Sequence, residues 1–218
     1  MSISRSSRSN VFTKSSTLTT TIAASTDLYY IFFNTSGNLG NQNSYFIWDA
    51  QAHTAYIYYN ASYPSEYMLF DERHGVTMDW ATHEYLHRTR GASIANGLQV
   101  SLFATQTGSS ADDGKINVSS GTFFDEDLQV DITDGAPGIW SMALNPVTGP
   151  VVYLEGTSWR KTPNSNIGVY INNGNTYISY NTVSSGSESL VEGKNGGFYI
   201  QWIAATNMAY TPIISIMG

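Results

Sequence analysis

The sequence predicts an all-β protein: an antiparallel β-sandwich or distorted barrel, preceded by a smaller N-terminal β unit, with one short helix in the connector. Three observations carry this expectation. Only 12% of the 218 residues are charged, about half the usual share. Ser, Thr, Asn and Gly are abundant, and 15 tyrosines supply most of the aromatic area. Short apolar or alternating runs recur between turn-forming residues, with the period expected of strands.

Taken in order, residues 1–16 form a basic, Ser-rich arm, and residues 17–73 a Tyr-rich β unit with strands expected at 18–24, 28–33, 45–48, 54–59 and 67–70. Residues 74–97 read as a polar connector. Within it, residues 78–90 have helical character, with Asp79 or Thr82 available as N-cap and Gly91 placed to end the helix. Residues 98–218 read as the sandwich or barrel, with strands expected at 98–104, 115–118, 128–132, 139–144, 151–155, 167–171, 176–180, 198–204 and 213–217. Between 169–171 and 177–180, Asn172-Asn173-Gly174-Asn175 offers the positive φ angles of a tight hairpin. No repeat of fixed period is visible, which disfavours solenoids and propellers.

Composition excludes several function classes. The chain has no cysteine, so disulfides, thiolate metal sites, iron–sulfur clusters and cysteine nucleophiles are ruled out. No apolar run reaches the ~20 residues that span a bilayer, and the N-terminus lacks the apolar stretch of a signal peptide. These features predict a soluble protein made in a cytosol, with no membrane insertion. Arg5, Arg8 and Lys14 give the arm +3, so the other 202 residues carry −10 of the net −7. A body that acidic is a poor partner for nucleic acid, whereas the arm suits an acidic neighbour.

Two features point to self-association. The terminal run Ile213-Ile214-Ser215-Ile216-Met217 is apolar to the end and needs pairing, within its sheet or with another subunit. Tyr56-Ile57-Tyr58-Tyr59 places aromatic residues on both faces of a strand, so both faces need cover.

The sharpest chemical motif is His83-Glu84-Tyr85-Leu86-His87, a match to H-E-x-x-H. On a helix the two histidines share a face and can bind one zinc ion, with Glu84 beside them as general base. A hydrolytic site also needs a third protein ligand. The downstream positions where a metallopeptidase pattern places it hold Arg90 and Ser93, and no second helix offers a carboxylate. The expectation is therefore a structural metal on His83 and His87 at most, or histidines hydrogen-bonded at an interface, with no catalytic residue and no cofactor.

Asp112-Asp113-Gly114 and Asp125-Glu126-Asp127 are hard-oxygen clusters without the spacing of a calcium loop. Glu155 and Glu188 are further carboxylates, but sequence places no two of them at a glycosidase separation. Five tryptophans, Trp48, Trp80, Trp140, Trp159 and Trp202, suit either a core or a sugar-stacking platform. No nucleophile elbow or phosphate-binding loop occurs.

The segment from Asp71-Glu72-Arg73-His74-Gly75 through Thr77-Met78-Asp79, Thr82-His83, Leu86-His87 and Gly91-Ala92 resembles a pattern in uncharacterised virion structural proteins of tailed bacteriophages. Gly97-Leu98, Asp125-Glu126-Asp127, Ser158-Trp159-Arg160 and Tyr210-Thr211-Pro212-Ile213-Ile214 extend the resemblance loosely over 71–218. The resemblance implies a tail, fibre or baseplate component located in the virion, made in the host bacterial cytoplasm and free of catalytic residues. By the same analogy, the partners it implies are other copies of the chain, as a trimer, and other virion proteins. A carbohydrate-binding, receptor-recognising β-sandwich, with a host surface glycan as partner, is the alternative. A zinc hydrolase built on His83-Glu84-Tyr85-Leu86-His87 is the third reading.

Overall fold

The computed structural model describes residues 13–108, 110–171, 177–184 and 186–218. Among these residues the fold is all-β, sandwich-like, with a single α-helix. The first sheet is formed by β1 (Asp27–Asn34), β2 (Leu39–Gln42), β3 (Gln51–Tyr59) and β4 (Met68–Asp71), in the order β2-β1-β3-β4. Tyr29 and Ile31 alternate into its buried side, as a half-buried strand requires. Residues 18–24, expected as a strand, are not one: Leu18, Thr20 and Ile22 cross the sheet near Ile31, Phe33 and Ile57, and Asn41 donates to Thr20 Oγ1 at 2.7 Å. Residues 45–48 also fall outside the strands and turn back toward β3.

Helix α1 (Trp80–Thr89) follows, one to two residues inside the expected limits. Asp79 caps it, its carboxylate accepting from the backbone N–H groups of Ala81 and Thr82. Gly91 adopts φ +51 and donates to Leu86 O, closing the helix in the left-handed conformation that glycine accommodates best.

The chain then enters β5 (Ala92–Asn96), β6 (Val100–Leu102), β7 (Ile116–Val118), β8 (Gly121–Asp125), β9 (Leu128–Asp134) and β10 (Ser141–Met142). Strands β10-β9-β8-β5 form the second four-stranded sheet, while β6 pairs with β7. β5 lay outside the expected strands because all of its residues are exposed and show no apolar alternation.

The remaining strands are β11 (Thr148–Gly149), β12 (Val151–Glu155), β13 (Ser158–Lys161), β14 (Ser165–Asn166), β15 (Ser179–Ser184), β16 (Ser187–Glu192), β17 (Gln201–Ala205) and β18 (Ile213–Met217). They build the third four-stranded sheet, β13-β12-β18-β17, and the pairs β11-β14 and β15-β16. The predicted hairpin at 169–180 is corrected in part. Residues 167–171 are not a strand; β15 instead pairs with β16, and Ser179 N donates to Tyr170 O at 2.9 Å. The Asn-Gly turn itself lies outside the described residues.

The terminal strand is the centre of the body. β18 pairs in parallel with β12 and antiparallel with β17, so both of its edges are satisfied within the chain. Ile213 joins a buried cluster with Val130, Ile132, Met142, Leu144, Val147 and Ile167. Its neighbour Ile214 faces a second cluster with Met68, Val152 and Met208. Burying each such side chain contributes about 1.5–3 kcal/mol.

The second cluster joins β4 of the first sheet to β12 and β18 of the third. Polar contacts reinforce that junction. The Arg160 guanidinium forks onto Glu66 at 2.6 and 2.9 Å, Trp159 N donates to Tyr58 Oη at 2.9 Å, and Asn207 Nδ2 donates to Asp71 O at 2.6 Å. The end of β4 is thereby fixed, and the residues after it carry the candidate site.

Candidate metal centre

All four histidines of the chain, His53, His74, His83 and His87, lie in or beside one cluster. His83 and His87 project from one face of α1. Glu72 and His74 come from the segment between β4 and α1, and Glu126 and Asp127 form the two-residue turn between β8 and β9. The Nε2 atoms of His74 and His87 lie 3.0 and 2.9 Å from His83 Nε2. Glu72 Oε1 is 3.1 Å from His83 Nε2, 2.9 Å from His87 Nε2 and 3.6 Å from His74 Nε2. Ligand atoms of Glu72, His74, His83 and Glu126 all fall within 4.8 Å of one another.

Backbone features hold this convergence. Asp127 grips the 74–76 segment at two points: Oδ1 is 2.9 Å from His74 Nδ1, and Oδ2 accepts from Val76 N at 2.9 Å. The segment comes so close that a Cβ on Gly75 would stand 2.9 Å from Asp127 O. Glu126 sits at φ +56, a position in which a non-glycine residue costs about 1–2 kcal/mol. Strain of this kind persists where the surroundings over-determine it. Here Glu126 N donates to Gly91 O at 3.1 Å and Glu126 Oε1 lies 2.7 Å from His87 Nδ1. That last contact is close but not aligned as a hydrogen bond, and both buried carboxylate oxygens of Glu126 lack a hydrogen-bond partner.

The electrostatics follow from burial and proximity. Burial would raise the Glu72 carboxyl, yet the His83 and His87 imidazoles draw it down to about 2. For His87, burial favours the neutral ring and is outweighed by Glu72, so its pKa is raised. Burial raises Glu126, and burial together with the Glu72 charge raises Asp125. His53 is lowered to about 4 by burial; it stacks on Phe46 and its Nε2 donates to Ala55 O at 3.0 Å. Trp48 closes one side, its ring 4.8 and 5.0 Å from the rings of His83 and His87. On another side a cleft of about 390 Å³ opens past His74, His83, Val76 and Met78.

Protons alone serve this arrangement poorly. A carboxylate only accepts, so His74 Nδ1, facing Asp127, carries the hydrogen, and in a neutral ring Nε2 is then a lone pair. His83 Nε2 carries at most one hydrogen yet faces three acceptor-capable atoms. Protonating all three rings would set N–H groups against each other at about 3 Å, where like charges repel. A cation at the centre uses every lone pair at once.

The pair expected from the sequence, His83 and His87, thus meets two more donors upstream of the helix, Glu72 and His74. Glu84 is not beside them as a general base: it turns outward to Arg88 at 2.7 Å. The acidic clusters separate by role. Asp125-Glu126-Asp127 backs the histidines, whereas Asp113 accepts from Thr107 N and Ser110 N in its own loop and Asp112 pairs with Lys115. Glu155 is engaged by Arg160. Trp140 and Trp159 pack against the two apolar clusters, and Trp202 is exposed.

Fold and site together define a β-rich protein with a histidine–carboxylate centre at the meeting of two sheets and a helix. No family model, curated protein or solved structure matches the chain. Among the described residues, no helix is long and apolar enough to cross a membrane.

Proposed function

We propose that the chain acts by assembly, as a structural component of a phage particle in its tail, fibre or baseplate region. The observation that carries this reading is the edge strand β17 with the residues leading into it. Phe198, Ile200 and Trp202 alternate along one face with relative exposures of 101%, 67% and 55%. β17 pairs with β18 on one edge only. An exposed apolar row on an open strand edge is a template for another chain. Ile94, Val100 and Leu102, on strands exposed throughout, add a second apolar surface. The resemblance of the 71–92 segment to virion structural proteins supports the same role, with a second copy and other virion proteins as partners.

β18 is covered within the chain, so self-association rests on β17 and the exposed strands rather than on the terminus. The test is light scattering of the purified chain at micromolar concentration. A defined oligomer, a trimer by analogy with fibre-like proteins, that dissociates in Trp202→Glu is expected; a stable monomer contradicts the role.

A further inference from the structure

We infer that the connector binds one divalent transition-metal ion of the zinc class, held by Nε2 of His74, His83 and His87 and by the Glu72 carboxylate. The inference stands independently of the assembly role. Donor type sets the ion class: three imidazoles and one carboxylate suit zinc, cobalt or nickel, whereas calcium and magnesium seek oxygen shells. Distance agrees. Bonds of about 2.0–2.1 Å in a tetrahedral centre set ligand atoms roughly 3.3 Å apart, and five of the six separations among these atoms run from 2.9 to 3.6 Å.

The surroundings also have the form that metal-bound histidine uses. Asp127 takes the Nδ1 hydrogen of His74, fixing its tautomer so that Nε2 faces inward, and Glu126 stands against Nδ1 of His87. Charge points the same way. Glu72, Asp127 and Glu126 bring three carboxylates to the cluster, while the adjacent Arg73 is engaged by Asp71. Glu126, its side chain only 3% exposed and both oxygens without hydrogen bonds, brings a further buried carboxylate within 4.8 Å of the Glu72, His74 and His83 ligand atoms.

Four protein ligands close a tetrahedral shell, which is the pattern of a structural rather than a hydrolytic centre. The outward turn of Glu84 onto Arg88 agrees. The ion's work is mechanical. Helix α1 has 10 residues, none of them buried, and isolated helices below ~12–15 residues are marginal in water. Coordination through His83 and His87 ties that helix to the end of β4 and, through Asp127 and Glu126, to the β8–β9 turn.

The test uses the full chain, stripped with chelator, freed of it, and titrated with Zn²⁺ alone or Co²⁺ alone. The expected results are one zinc per chain by elemental analysis and a visible absorption band for the cobalt form. A change in tryptophan fluorescence that disappears in Trp48→Phe should accompany binding. His83→Ala and His74→Ala should lose stoichiometric binding, and Asp127→Asn should weaken it by about 10–100-fold. Substoichiometric zinc with no change in tryptophan fluorescence in the wild-type chain overturns the site, and this comparison needs no variant to fold. Stoichiometric zinc at unchanged affinity in both His74→Ala and Glu72→Gln overturns the ligand assignment.

Discussion

Around β18, Ile213 and Ile214 face opposite apolar clusters and are 1% and 6% exposed. Around α1 no residue is buried, and the inward face carries His83 and His87. The first region is held by area removed from water, a non-directional term that tolerates small shifts. The second is held by a few polar atoms that must meet at one point. Each device matches its sequence. β18 is apolar at four of its five positions, Ile213, Ile214, Ile216 and Met217, whereas the 72–90 segment buries no residue, leaving Val76, Trp80 and Tyr85 exposed, and is held through directed contacts instead. The consequence is that the two regions should answer to different perturbations.

The largest effect is expected from truncating the body. Leu144→Ala removes a fully buried side chain from the larger cluster and should cost about 2–5 kcal/mol. Urea denaturation should show that loss equally in the presence of zinc and of chelator. A cost that depended on metal would mean that the two regions are not separate in energy.

A smaller effect is expected from the helix cap. Asp79→Ala deletes the acceptor for the Ala81 and Thr82 N–H groups, worth about 1 kcal/mol. The loss should appear as fraying of α1 by helical circular dichroism or amide exchange, with the midpoint of global unfolding little changed. A full 1 kcal/mol fall in global stability would place α1 inside the cooperative core.

The smallest effect concerns the junction between sheets. The Arg160 guanidinium holds the Glu66 carboxyl below the usual glutamate range, against the opposing influence of burial. A depressed carboxylate stabilises the fold above its unfolded pKa, about 4.3, and that contribution fades as pH falls through the folded value. Wild type should therefore exceed Glu66→Gln in stability at pH 7 by more than at pH 3. Equal differences at both pH values would remove the ionic part of this contact.

Much of this division was legible in the sequence. The apolar runs placed β1, β3, β4, β9, β12, β17 and β18, because burial writes itself as pattern. The Asp79 cap and the Gly91 stop placed α1. β5 escaped because an exposed strand has no alternation to read, and residues 18–24 looked like a strand because they cover a sheet without joining one.

At the site, His83 and His87 were visible through their i, i+4 spacing. Glu72 and His74 were in plain view in Asp71-Glu72-Arg73-His74 but lay upstream, while the metallopeptidase pattern directs attention downstream. A better signal was compositional: the chain has only 4 histidines, all between residues 53 and 87. The part played by Glu126 and Asp127 depends on the β8–β9 hairpin folding onto the connector, a long-range contact, from Asp127 to His74 and from Glu126 to His87, that no local pattern encodes.

Amide hydrogen exchange on one sample, with zinc and after chelation, tests the contrast most directly. The account predicts that removing the ion speeds exchange across residues 74–90 and the 126–127 turn, while β12 and β18 keep their protection. Equal exchange of the connector in both conditions, or loss of protection throughout β18 on chelation, would contradict it.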